Sequence, residues 1–228
     1  MPLVVAQART PTNGSSGVAA PTDAVAMGIA TRERLMTVAE ELMATRGVDA
    51  VDLNDIRLAA GQRNRSAINY HFGNREGLVQ AIRQRHGEPI DEKRNRILDA
   101  LEANAEITIR ALVEAYLTPL ANAMRTRPGR NYVIILRDTT FRIGASSVLS
   151  SGMPYLSSMR RLSGHLISVL SGTHAARHVR FRQAALTGGV LLADIAVDVN
   201  SGTLTQRQGL LRVPGVIDFV TRALGDDS

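Results

Sequence analysis

The fold of this chain is decided by residues 53–72, which read Leu53-Asn-Asp-Ile-Arg-Leu-Ala-Ala-Gly-Gln-Arg-Asn-Arg-Ser-Ala-Ile-Asn-Tyr-His-Phe72. The stretch predicts two short helices that are separated by a turn at Gly61. Gly61 can adopt the positive φ that ends the first of them. The second helix opens with arginine, asparagine and serine side chains, which offer donors and acceptors to phosphates and base edges. This pattern is typical of a helix-turn-helix unit that binds DNA.

Two more helical signals complete a three-helix domain around this unit. Apolar residues at helical spacing predict a first helix from Thr31, with Gly47 as its end. Asp52 is expected to cap the second helix through its carboxylate. The third helix is expected from about residue 64 to 72, with its apolar face packed against the first two. That face consists of Ala67, Ile68 and Phe72.

The remainder of the chain predicts an all-α body. Asn74 can cap a fourth helix, which we expect to reach about His86 and to be interrupted at Gly87 and Pro89. Gly188 and the glycine after it lie inside a helical pattern and indicate a close helix contact rather than a phosphate-binding loop. Helical periodicity continues over residues 90–103, 107–127, 153–170, 173–199 and 214–224.

One segment of the body allows two interpretations. The run from Tyr132 through Val-Ile-Ile-Leu is compatible with a buried strand or with a short buried helix. Its helical surroundings favour the helix for residues 132–150.

Composition limits the class and the compartment of the protein. The formal charge of the 228 residues is +6, and Lys93 is the only lysine among 27 basic residues. Arginine suits phosphate binding, although GC-rich coding also favours it. The absence of cysteine excludes disulfides and thiolate metal sites and makes the reducing cytoplasm the simplest compartment. Residues 1–28 are rich in Ala, Pro, Ser and Gly and predict a disordered tail, and no secretory signal or membrane span is expected.

A longer motif resembles a known family. Residues 61–78, Gly61-Gln-Arg-Asn-Arg-Ser-Ala-Ile-Asn-Tyr-His-Phe-Gly-Asn-Arg-Glu-Gly-Leu78, are similar to the signature of the tetracycline-repressor (TetR) family of bacterial transcription regulators. The resemblance covers about residues 31–86. Between Gly61 and Tyr70 there is one residue more than in the commonest pattern of the family. The resemblance implies an N-terminal helix-turn-helix domain joined to a larger helical domain that dimerises and binds a ligand.

The resemblance also implies which residues contact DNA. Tyr70 and His71 are expected near the sugar-phosphate backbone, and Arg75 stands where the family commonly has a phosphate-contacting lysine. Residues 61–75 contain three arginines and no acid, so the charge also favours phosphate there. A packed helix end in a module that does not bind DNA is the alternative. The side chains expected in the major groove are Arg63, Asn64, Arg65, Ser66 and Asn69.

For the body, the resemblance implies a dimer interface and a ligand cavity, although the same apolar residues are typical of an ordinary core. Arg137 or Asp138 is the expected polar anchor of the ligand. The cavity is expected to be lined by Leu112, Tyr116, Tyr132, Phe141, Met153 and Tyr155. The dimer stripes are expected to include Leu156, Leu162, Leu166, Val169, Leu170, Leu186, Val190, Leu191 and Ile195.

Catalytic and metal-binding roles find no support in the sequence. His174 and His178 stand four residues apart, as zinc ligands sometimes do, but no carboxylate or cysteine completes a set. Ser163 and His165 are too close along one helix to form a relay. We therefore expect no catalytic residue, no metal site and no cofactor.

These observations lead to one functional hypothesis. The protein is expected to be a cytoplasmic homodimeric repressor that binds a near-palindromic operator in double-stranded DNA and is released by a small apolar effector. The expected domains are a tail at 1–28, a DNA-binding domain at 29–88 and a regulatory and dimerisation domain at 89–228. The alternatives are a constitutive DNA-binding protein without an effector and a small all-α enzyme.

Overall fold

The computed structural model describes residues 21–143 and 156–225, and the side chains of residues 25–140 and 156–225. These residues form α-helices joined by short connections, which confirms the predicted all-α class. The helices are α1 (Pro21–Arg46), α2 (Leu53–Ala59), α3 (Ala67–Phe72), α4 (Arg75–Ala103), α5 (Ile109–Ala123), α6 (Arg127–Ile143), α7 (Ser157–Val169), α8 (His174–Ser201) and α9 (Gln206–Gly225).

The first helix begins ten residues before the predicted start. Pro21 occupies its first position, where a missing N–H costs nothing, so residues 21–28 are helical and not part of the expected tail. The prediction failed because it relied on an apolar stripe, and the described side chains at the start of α1, residues 25–30, are largely exposed. Met27 and Ile29 are both exposed. Residues 1–20 of the expected tail lie outside the described residues.

The fourth helix is continuous, so the predicted interruption at Gly87 and Pro89 is wrong. Proline removes one helical hydrogen bond, but α4 is packed on both sides of it. Ile82 is buried in a core shared with α1, α2 and α3, and Ile90 is buried in the core of the body. The two cores therefore meet along a single rigid helix.

The body is formed by the second half of α4 together with α5 to α9. The segment around Tyr132 is helical, as its surroundings indicate, and residues 144–150 lie outside the described ones. The last helix begins eight residues before the predicted Pro214 and includes that proline. Gly188 confirms the expected close contact, because a Cβ there would lie 2.8 Å from Cδ2 of Leu117.

Helix α8 occupies the centre of the body. It packs against α5, α6, α7 and α9. By length and composition alone it is apolar enough to cross a membrane, with a mean hydropathy of 1.3 in its most apolar window. The buried central helix of a soluble domain meets the same criterion, and one such helix is weak evidence for a span.

Asp91 of α4 holds the start of α7. Leu156 precedes that helix and has no side chain that can cap it. The buried Asp91 carboxylate instead accepts hydrogen bonds from the backbone N–H of Ser158 at 2.9 Å and from its hydroxyl at 2.6 Å. The Ser157 hydroxyl donates to the same carboxylate. An acid thus satisfies N–H groups at a helix start, where it also complements the helix dipole.

We predict that Asp91→Ala lowers the free energy of unfolding by about 3 kcal/mol, because it leaves several buried donors without their charged acceptor. Urea denaturation followed by circular dichroism measures the change. Glu92→Ala, at the exposed neighbouring position, is the control and should change the stability by less than about 0.5 kcal/mol. Equal stability of the two variants would contradict this role of Asp91.

Candidate nucleic-acid interface

Hydrogen bonds within the helix-turn-helix unit hold the turn between α2 and α3. Gly61 has a φ of +70°, as its position predicts, and its N–H donates to the Leu58 carbonyl at 2.9 Å. The guanidinium of Arg57 donates to the carbonyls of Gln62 and Arg63. Its Nη2 also donates to Oδ1 of Asn54 at 2.8 Å, which fixes the guanidinium in place. The turn therefore has a side-chain clamp that sequence reasoning missed. An arginine a few residues before a glycine turn is too common to be a signal.

The second helix of the unit is shorter than predicted. It begins at Ala67 instead of about residue 64. The Asn64 side-chain carbonyl accepts the Ser66 N–H at 2.9 Å, and this local bond competes with helix formation. Arg63, Asn64 and Arg65 consequently lie in the turn and not on the helix.

Six of the eight residues predicted to contact DNA are exposed, and we call these six the reading surface. Ala67 and Ile68 are buried beneath it, as predicted, and anchor α3 to the N-terminal core. Tyr70 is 82% exposed although it is aromatic. The reading surface consists of Arg63, Asn64, Arg65, Ser66, Asn69 and Tyr70, all exposed.

His71 lies at the edge of the reading surface and is only half-buried. Its ring meets that of Tyr70 edge-on, with 4.9 Å between the centroids. Burial, and secondarily the positive charge of Arg32, lowers the pKa of His71 below its usual value. The imidazole is therefore neutral at pH 7 and adds no charge to this surface.

Arg75, like Asn64, already has a structural partner. Its Nη1 donates to the Val48 carbonyl at 2.8 Å, which ties the start of α4 to the connection between α1 and α2. Residues 61–75 still carry three arginines and no acid. A phosphate contact by Arg75 stays a prediction.

A cavity of about 90 Å³ lies in the body between α4, α5, α6, α7 and α8. Of the predicted lining, Tyr116, Tyr132 and Arg137 are found there, whereas Leu112 is fully buried in the core and does not line the cavity. The side chains of Phe141, Met153 and Tyr155 lie outside the described residues. No pattern in the sequence singles out three further arginines in the wall, because their helices carry charge on other faces as well. These are Arg83, Arg94 and Arg182.

The histidine pair on α8 is close but incomplete as a metal site. Nε2 of His174 lies 3.2 Å from Nε2 of His178. Among the described residues, no group of three or more His, Asp or Glu side chains is placed to hold a metal ion.

Comparisons with known proteins identify the N-terminal domain. Residues 35–82 match the family model described as "Bacterial regulatory proteins, tetR family". No curated protein matches the chain. A proposed TetR-family transcriptional regulator from Rhodococcus sp. is similar in structure, with a TM-score of 0.42 and 16% identity over 84% of this chain and 98% of the other. A TetR-family transcriptional regulator from Pectobacterium atrosepticum is also similar, with a TM-score of 0.45 and 19% identity over 87% of this chain and 96% of the other.

We predict that Arg57→Met loosens the turn and leaves the fold intact. Without the guanidinium, the carbonyls of residues 62 and 63 lose their intramolecular donor, so the amides of residues 62–66 should exchange with solvent about tenfold faster. Hydrogen exchange with mass spectrometry measures this. Arg46→Met, which removes an exposed ion pair with Asp55 in the same domain, should leave the rates unchanged. Unaltered exchange in Arg57→Met would show that Arg57 does not hold the turn.

Proposed function

We propose that this chain, a TetR-family transcriptional regulator by its residues 35–82, is a homodimeric repressor that an effector releases from a near-palindromic operator. We also propose that it acts in the cytoplasm, without enzymatic activity or a cofactor. The observation that carries DNA binding is the reading surface.

The reading surface has the chemistry that DNA recognition requires. Arg63 and Arg65 can form paired hydrogen bonds with guanine or with phosphate, and Asn69 can do so with adenine. These side chains are exposed, and the buried Ala67 and Ile68 fix the helix beneath them. Because the clamp of Arg57 also fixes the turn, little conformational entropy would be lost on binding.

Operator recognition by this fold requires two reading surfaces about 34 Å apart, one helical turn of DNA, so we propose a dimer. Val179, Leu186, Val190 and Val197 of α8 are spaced by multiples of the helical repeat and lie on one face, and the two in its middle, Leu186 and Val190, also line the cavity. Val179 is 40% exposed and Val197 is 38% exposed. This α8 stripe is the proposed centre of the interface.

The structure corrects part of the predicted interface. Four of the predicted residues are buried in the core of their own chain and are not available to a partner. Exposed apolar side chains on α9, Leu211 and Phe219, are absent from the prediction and lie on the helix that packs against α8. The four residues that the monomer already buries are Leu162, Leu166, Leu170 and Ile195.

A chain of contacts joins the cavity wall to α1 of the N-terminal domain. Tyr132, in the cavity wall, stacks on His86 of α4 with 4.9 Å between the ring centroids. His86 lies 3.0 Å from the buried Glu40 carboxylate of α1, which also accepts from Arg85 at 3.2 Å. An effector that binds better to one arrangement of these helices shifts the population between a DNA-binding and a released state. This contact chain supports effector release over constitutive binding.

We predict that Arg65→Ala weakens operator binding and relaxes its sequence preference, because a hydrogen-bonded base contact in the major groove is lost. Fluorescence anisotropy with labelled operator DNA, selected from genomic fragments, and with unrelated DNA measures both effects. Arg96→Ala, at an exposed position of α4 in the body, is the control and should bind both DNAs as the unaltered protein does. Equal operator affinity of all three proteins would contradict the assignment of Arg65.

We predict that Val197→Glu converts the protein to a monomer, because it places a charge in the α8 stripe. Light scattering should then give the 24.6 kDa of one chain instead of twice that mass. Ala100→Glu makes the same change at an exposed position of α4 and should leave the dimer intact. A dimer that persists in Val197→Glu would place the interface elsewhere.

A further inference from the structure

We propose that the cavity in the body binds a small organic anion, a carboxylate with a compact apolar group, and that Arg83 holds the carboxylate. The inference rests on the proposed function in one respect, since it names the chemical class of the effector. It departs from the expectation of an apolar effector, because the wall of the cavity is not only apolar.

The principal observation is the state of Arg83. Its side chain is 2% exposed, and it lines the cavity. Its Nε is buried and has no hydrogen-bond partner among the described residues. A buried guanidinium that lacks partners is costly, and a ligand that supplies an acceptor recovers that cost. A carboxylate matches the planar geometry of the guanidinium with two parallel hydrogen bonds.

The charge around the cavity favours the same class of ligand. Four arginines and no acid lie among the described residues of its wall. Nε and Nη2 of Arg94 donate to the Tyr116 carbonyl at 3.1 and 3.0 Å, and Nε of Arg137 donates to Asp138 at 2.9 Å. Those two guanidiniums therefore already have acceptors within the protein. Arg182 also has a partner, so Arg83 is left as the group that an anion would satisfy.

The rest of the wall defines the other end of the ligand. Apolar side chains from α6 and α8 line it, including Leu136 and Val190, together with the rings of Tyr116 and Tyr132. A volume of about 90 Å³ is below the several hundred Å³ usual for drug-sized ligands. The ligand is thus expected to be a monocarboxylate with one aromatic ring or a short aliphatic chain.

The position of Arg83 explains why a ligand bound to it would affect the DNA-binding domain. It follows Ile82, which is fully buried in the N-terminal core, on the same turn of α4. Arg94 lies eleven residues further on, about 16 Å along the helix, in the wall of the body. An anion at Arg83 would therefore act on α4 beside the N-terminal core, whereas an anion at Arg94 would act further along the helix, in the body.

Isothermal titration calorimetry of the full-length protein, without DNA, tests the proposal with two matched pairs of probes. Benzoate and hexanoate carry the carboxylate, and benzamide and hexanamide are neutral compounds of similar shape. At least one carboxylate should bind on the order of ten- to a hundredfold more tightly than its amide, the gain of a charge-assisted hydrogen-bonded pair. No binding by either carboxylate, or equal binding of acid and amide, overturns the proposal.

Variants locate the binding to Arg83. Arg83→Met keeps the length of the side chain and should abolish the preference for the carboxylate, whereas Arg96→Met, at an exposed position of the same helix, should retain it. Arg83→Lys keeps the charge without the planar donor pair and should weaken carboxylate binding about tenfold. It provides a second measurement if Arg83→Met does not fold. Unchanged carboxylate affinity in the Arg83 variants overturns the assignment.

Anisotropy of the DNA complex separates this proposal from the proposed function. A carboxylate that binds at Arg83 but leaves the DNA complex intact would support the site and refute release by this ligand. Release of DNA by the amides and not by the acids would support effector control and refute the anionic class.

Discussion

The continuity of α4 is the constraint on which the rest of the structure depends. Its first turns, up to Ile82, complete the core of the DNA-binding domain, and the turns from Ile90 onward complete the core of the body. A helix transmits displacement along its axis because its backbone hydrogen bonds resist local bending. The two domains are therefore not independent, although their cores are separate. Ile135 of α6 strengthens the connection, because it is fully buried in the core of the N-terminal domain.

The arginines of the reading surface and those beside the cavity have different surroundings. At the reading surface, Arg63 and Arg65 are exposed, so water can supply their acceptors. Beside the cavity, Arg83 and Arg94 are buried, and Arg94 depends on an acceptor from the protein, the Tyr116 carbonyl. The lowered pKa of Arg94, caused by its burial, shows the cost of such a position. The hydrogen bonds that Arg94 donates to the Tyr116 carbonyl offset part of that cost, whereas Nε of Arg83 has no partner among the described residues.

Much of the fold and the motif could be predicted from the sequence because the signals are local. Asp52 and Asn74 cap helices as expected, with side chains that accept the N–H of Asn54 and Gly77. Gly61 adopts the required positive φ. The break predicted at Pro89 is wrong because it rests on local propensity alone. Tertiary packing on both sides of α4 outweighs that propensity, and no local pattern reports it.

The two candidate sites differ in the same way, since one depends on local signals and the other on tertiary packing. Exposure of Asn69 and Tyr70 follows from helical periodicity once Ala67 and Ile68 are assigned to the core, so the helical part of the reading surface was predictable. The cavity brings together α4, α5, α6, α7 and α8, whose order in space no periodicity encodes. In a single sequence, Arg83 is indistinguishable from the exposed Arg96, because both stand within a charged helical pattern. Only the packed arrangement shows that one of them is buried beside empty space. A buried, incompletely bonded cation is thus evidence that comes from tertiary structure alone, and it bears on ligand class more directly than the apolar residues that the sequence singled out.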